Sequence, residues 1–262
     1  MVPTINLVVM IVNAVLGIAI PVFLAWWAVK KHQANLPAIL FGAAVFLVFA
    51  LVLESTVHQI VLKGARGAAI QGNILYYALY GGLMAGLFEE TGRFVAMKFL
   101  LKKEPSTTRP GVAYGLGHGG AEMAVLFGLS MISTFAMAVM INAGQLDQLT
   151  STAPAEAQEQ LAAQLEQIKT TGAGAYLIGL WERFSALILQ VSLSILVWVA
   201  ARKGGKWLWL FPAAILLHAL VDGIAVILSK SAGMVTVEVI ILAMAIAVAG
   251  LAWQVARKAF PE

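Results

Sequence analysis

Long apolar runs alternate along this chain with short polar punctuation, and that alternation is the first structural signal it gives. Cut at charged residues and at Gly or Pro, the apolar runs fall near 5–29, 38–62, 74–101, 111–142, 173–201, 207–229 and 235–256. At about 1.5 Å per residue, each reaches across the hydrocarbon core of a bilayer, about 30 Å thick. The pattern predicts an all-α fold, a polytopic transmembrane helix bundle of about seven spans. The fourth run is long enough to tilt or to protrude. The first has no basic residue ahead of it and runs on to Trp26 and Trp27, followed by Lys30 and Lys31, which reads as a retained span rather than a signal peptide. One stretch differs in kind. From Gln145 to Thr171 the chain is polar, with Asp147, Glu156, Glu159 and Glu166, and its patterning from Pro154 onward predicts a short amphipathic helix outside the membrane. The organisation expected is a single integral membrane domain over 1–262, carrying an extracytoplasmic polar loop at about 143–172, a solvated connector.

Charge sets the orientation. With the N-terminus outside, the inner loops hold Lys30, Lys31, Lys98, Lys102, Lys103, Arg109, Arg202, Lys203, Lys206, Arg257 and Lys258, and the outer ones only Lys63, Arg66, Lys169 and Lys230. The positive-inside rule therefore favours N-out, C-in. The same anchors account for the net charge of +4. Of the 262 residues 61% are hydrophobic and 11% charged, against about 45–50% and about 25% in soluble domains. A soluble enzyme and a disordered chain are excluded, and the scattered cations exclude a nucleic-acid face. The chain is expected in a cell membrane, of bacterial plasma-membrane type, with lipid as its surroundings. It has no cysteine, so a metal here must be held by His and carboxylate.

What remains after the loop charges are set aside is informative. Glu54, His58, Glu89, Glu90, Arg93, His118, Glu122, Glu182, Arg183, His218 and Asp222 all fall within the apolar runs. Each charge at bilayer depth costs on the order of 2.5–3.5 kcal/mol, so they must face one another or water. Glu54 and His58, His118 and Glu122, and His218 and Asp222 are each four apart, and Glu89 and Glu90 precede Arg93 by four and three, so each set shares a helical face. One such pair is explained by self-neutralisation on insertion. Three His–carboxylate pairs among four histidines exceed that need. Counted from the cytoplasmic ends, Glu90, His118 and His218 lie at about 11–17 Å depth, with Glu122 and Asp222 one turn further out. Glu54, His58, Glu182 and Arg183 fall in the outer half and form a supporting or second polar cluster. Glycines at 115, 117, 119 and 120 surround His118, and Gly81, Gly82 and Gly86 precede Glu89, allowing close helix approach.

Paired carboxylates, facing histidines and a cation are the parts that activate a water: a Glu takes the proton, and His or a divalent ion polarises the water or the scissile carbonyl. Serine catalysis has no nucleophile-like setting here, and Asp222 is the one Asp in a span, which excludes an aspartyl dyad. The alternative is an ion- or proton-coupled transporter using the buried Glu, His and Arg chain. It lacks the support of an internal repeat. A third reading is a silent scaffold that binds partner helices through its glycine-rich faces.

Phe-Glu-Glu-Thr-Gly-Arg (88–93), Gly-Leu-Gly-His-Gly-Gly-Ala-Glu (115–122) and Leu-His-Ala-Leu-Val-Asp (217–222) resemble the three motifs of the YhfC-type intramembrane proteases, which are similar to the wider clan of PrsW-like and CAAX prenyl proteases. Leu-Glu-Ser-Thr-Val-His (53–58) and Trp-Glu-Arg (181–183) also look like YhfC features. The resemblance runs from the second span to the sixth. It implies an intramembrane peptidase acting on a membrane-embedded or membrane-proximal peptide segment. Glu89 and Glu90 match its paired glutamates, one of them the base, with Arg93 fixing their orientation. His118 and Glu122 match the second motif, and His218 and Asp222 the third, contributing to an oxyanion site or to a metal shell. The implied ligands are His118, Glu122 and His218, with zinc the divalent ion expected. The resemblance also implies a histidine one to two turns after Glu182 and Arg183, and Gln190 stands near that place.

Overall fold

The computed structural model describes residues 1–145, 150 and 155–261. Among these the secondary structure is helical, with no strand. In chain order the helices are α1 (Thr4–His32), α2 (Leu36–Lys63), a short α3 (Gly67–Gln71), α4 (Ile74–Val95, continued by a π-helical turn over Ala96–Leu100), α5 (Arg109–Asn142), α6 (Ala155–Thr170), α7 (Ala173–Lys203), α8 (Leu210–Leu228, entered through a 3₁₀ turn over Gly205–Trp209) and α9 (Met234–Ala259). Two further π-helical stretches lie inside helices, Phe46–Glu54 in α2 and Met123–Leu129 in α5. Local chemistry explains several ends. Asn73 caps α4 by accepting from the main-chain N–H of Leu75 (2.9 Å) and Tyr76 (3.2 Å). Pro37 stands in the first turn of α2, where its missing N–H costs nothing. Basic residues close α1, α7 and α9.

Among the described residues six helices are long and apolar enough to cross a membrane: α1, α2, α5, α7, α8 with its 3₁₀ entry, and α9. The chain is a multi-pass integral membrane protein. The remaining expected span, α4, has the length of a span, but Glu89, Glu90, Arg93 and Lys98 remove it from that group on composition. Leu79, Leu216 and Trp253 are among the large apolar side chains left outward, a surface that hydrocarbon rather than water covers.

The described chain forms two compact units, one of residues 1–20 and 123–183, the other of residues 21–122 and 184–262. In the first, the amphipathic segment read from the sequence is α6, a 16-residue helix. Its Leu165 and Ile168 are buried against a cluster that includes Val2, Val9, Met10, Ala138, Ile141 and Tyr176. It is a packed helix rather than a loose connector, because the i, i+4, i+7 spacing of Leu161, Leu165 and Ile168 turns one apolar face inward. Asp147 and Pro154 lie outside the described residues, as does the Glu156 side chain. Side-chain amides tie the unit together: Asn13 donates to the Tyr176 carbonyl (2.6 Å) and Asn6 to that of Thr171 (2.8 Å).

The second unit is built around α7. From Ser192 to Ala201 every residue is buried, the mark of a helix with neighbours on all sides. Trp198, Leu193, Leu196 and Tyr114 are fully enclosed there. Two glycine contacts set the helix spacing. A Cβ on Gly117 of α5 would fall 1.9 Å from the Ile39 carbonyl oxygen, and one on Gly42 of α2 would fall 2.1 Å from that of Tyr114, so these helices touch backbone to backbone. Likewise Gly82 and Gly86 of α4 lie against the carbonyls of Ala219 and Ile215 in α8. The glycines before Glu89 thus bring α4 against α8, and those around His118 bring α5 against α2 and α7.

Candidate active site and metal group

All the polar residues of the three motifs lie in the second unit. Glu89, Glu90, Arg93, His118 and His218 are buried, and Glu122 and Asp222 half-buried. Successive residues of a helix diverge by about 100°, so Glu89 and Glu90 point their carboxylates to different neighbours. Glu89 Oε2 lies 2.8 Å from His118 Nε2. Glu90 Oε1 lies 2.9 Å from His218 Nδ1, and the other ring nitrogen of His218 is 3.5 Å from Asp222 Oδ2. Arg93 stands behind both, with Nη1 3.3 Å from Glu90 Oε1 and Nη2 4.0 Å from Glu89 Oε2. Phe46 meets the His118 ring edge-on at 5.4 Å and Tyr114 stacks on it at 6.2 Å, fixing its plane.

Gln190 of α7, 3% exposed, joins the same network. Its Nε2 donates to Glu89 Oε2 (3.0 Å) and to Glu122 Oε2 (2.8 Å). Its Oε1 accepts from Arg93 Nη2 (2.5 Å), and its main-chain carbonyl from Arg93 Nη1 (3.2 Å) and Ser194 Oγ (2.7 Å). The family resemblance puts a histidine near this glutamine, and the sequence itself assigns Gln190 no work, because a neutral side chain raises no burial penalty large enough to flag. Tyr80 is a second residue that spacing misses. It is hydrogen-bonded to His58 Nδ1 at 2.9 Å, while His58 Nε2 lies 3.1 Å from Glu54 Oε1, so Glu54, His58 and Tyr80 form a separate trio on α2 and α4. Glu182 and Arg183 belong to the first unit and pair with each other, Arg183 Nε donating to Glu182 Oε2 at 2.8 Å.

Glu89, His118 and Glu122 each offer a ligand atom, and the three atoms lie within 4.8 Å of one another. One imidazole nitrogen and two carboxylate oxygens form a donor set that suits a divalent ion such as zinc. His118 turns its Nε2 to this group, 2.8 Å from Glu89 Oε2, while its Nδ1 lies enclosed on the other edge of the ring. By their donor chemistry the residues present fit a metal. Glu89 stands in this group where sequence reasoning set His218, which the structure directs to Glu90 and Asp222 instead.

The model of the YhfC intramembrane metalloprotease family matches residues 16–245, the whole stretch that carries these side chains. The chain belongs to that family. It is also 34% identical over 247 residues to the uncharacterized membrane protein YhfC of Bacillus subtilis (strain 168), covering 94% of each chain. No solved structure matches it at a significant level. The match covers every helix from α2 to α8, and with them the stretches 88–93, 115–122 and 217–222.

Proposed function

We propose that this chain is an intramembrane peptidase that hydrolyses peptide bonds in or near membrane segments, with water activated between Glu89, His118 and Glu122. The observation that carries the reading is the convergence of those three side chains from α4 and α5, with ligand atoms within 4.8 Å of one another. Glu89, His118 and Glu122 would hold the divalent ion, zinc being the best match to the donor set. Bound there, it would polarise the scissile carbonyl and make water a stronger acid.

The protein's own groups divide the remaining work. Of the paired glutamates Glu89 has the exposed edge, its side chain 10% exposed against 0% for Glu90. Glu89 is therefore the carboxylate whose oxygen not given to the ion would take the proton of the attacking water. Glu90, enclosed and acceptor-only when ionised, holds His218 Nδ1 as an N–H and so sets the ring's orientation. With both ring nitrogens protonated between Glu90 and Asp222, the ring would offer its Nε2–H to the oxygen that gains charge as the carbonyl is attacked. Arg93 neutralises the paired glutamates from behind without entering the reaction.

The test is cleavage of quenched-fluorescent transmembrane peptides by the purified protein in lipid nanodiscs, with products read by mass spectrometry. Wild type should cut, a chelator should stop it, and zinc should restore it. Glu89→Gln and His118→Ala should be inactive. Cutting by both variants at the wild-type rate would remove this assignment.

A further inference from the structure

We infer that Gln190 is the positioning residue of the metal group: its amide, turned by Arg93, holds Glu89 and Glu122 at ligand separation and keeps its own oxygen out of the donor set. The inference rests on the reading of Glu89, His118 and Glu122 as the residues that hold a divalent ion.

The orientation of the amide follows from chemistry. A guanidinium only donates, so the oxygen of Gln190 must face Arg93 and its NH2 must face the glutamates. Carboxylates in turn accept, so both ends agree and the usual ambiguity of a side-chain amide is absent. The two N–H bonds diverge by about 120° from a planar nitrogen, the geometry for serving two acceptors at once. One hydrogen goes to each carboxylate, on α4 and on α5.

The clamp is itself anchored. Arg93 grips the main-chain carbonyl of Gln190 as well as its side chain, and Ser194 donates to that carbonyl one turn on. The guanidinium that balances the glutamates thus also aims the amide that spaces them. Two carboxylates this close repel each other, and a donor between them offsets the repulsion before any ion arrives. A histidine at this place would add a ligand. Glutamine leaves the protein donors at three, the number catalytic rather than structural zinc sites take from their protein.

The experiment is competition titration of the full-length protein in nanodiscs with zinc against a chelating dye, and the visible spectrum of the cobalt(II) form. The variants are Gln190→Met, which keeps length and loses both donors, Gln190→Asn, which keeps an amide too short to reach both carboxylates, and His118→Ala. Melting of the metal-free forms shows which are folded. Gln190→Met should bind zinc about 10–100-fold more weakly, Gln190→Asn about tenfold more weakly, and both should shift the cobalt absorption. Folded Gln190 variants with wild-type zinc affinity and an unchanged cobalt spectrum, while His118→Ala loses affinity, would overturn the role of Gln190 alone. Unchanged zinc affinity in His118→Ala would overturn the metal reading and the clamp with it.

Discussion

Glu89 and Glu90 are adjacent in the chain yet serve different histidines, Glu89 reaching His118 of α5 and Glu90 reaching His218 of α8. A paired-glutamate motif here is two devices joined by one peptide bond. The first faces the metal group and the second fixes an imidazole.

That division makes the two glutamates separable by experiment. Glu89→Gln should lose both zinc and cleavage. Glu90→Gln should keep zinc near one equivalent yet lower turnover by about 10²–10⁴, because His218 loses the acceptor that orients it. Elemental analysis alongside the peptide assay distinguishes them. Loss of zinc in Glu90→Gln would show that the two halves are one site.

Arg93 answers for both glutamates and for Gln190, with its side chain fully enclosed. Arg93→Ala leaves Glu90 buried beside His218 without its cation and should cost about 3–5 kcal/mol. The expected result is a large fall in detergent-solubilised melting temperature and yield. A wild-type melting point in Arg93→Ala would mean that water replaces the guanidinium.

Gly81 and Gly82 offer a contrast within one helix. A Cβ on Gly82 would meet the Ala219 carbonyl oxygen at 2.4 Å, whereas one on Gly81 meets nothing within 4 Å. Gly82→Ala should destabilise by about 1–3 kcal/mol by forcing α4 from α8. Gly81→Ala should be neutral or gain up to about 1 kcal/mol from helix propensity. Equal melting shifts for the pair would show that α8 yields to the added methyl.

The docking of α6 is testable by proteolysis. Ile168→Asp puts a charge into the buried face of that helix, removing packing worth at least about 2 kcal/mol. Trypsin should then cut at the neighbouring Lys169 about tenfold faster than in wild type, since local opening exposes the bond. An unchanged rate would place the apolar face of α6 elsewhere.

The spans were legible because apolar runs of such length have few alternatives, and the glycine runs announced close packing of helices. The polar residues were legible as a set, since burying so many charges singly is too costly. Their partners were not. Four-residue spacing puts His118 with Glu122 and His218 with Asp222 on shared faces, but a face says nothing of what lies across from it. The shortest contacts of both histidines are instead to glutamates of α4. The spacing of Glu54 and His58 does give a direct contact, because the two belong to one stretch of α2. The charges that set α4 apart from the other spans, Glu89, Glu90 and Arg93, are the ones that meet His118, His218 and Gln190.

The π-helical stretch that ends at Glu54 carries a consequence for anyone editing this sequence. Each π turn takes in one residue more than an α turn, so α2 is phased differently on either side of Phe46–Glu54. Gly42 on the near side must meet α5, and His58 on the far side must meet Tyr80. Removing a single apolar residue from that stretch would be absorbed as one wide turn closes to an α turn, whereas removing one from the regular helix between Gly42 and Phe46 would turn the far half like a screw by about 100°, carrying the Glu54–His58 pair away from α4.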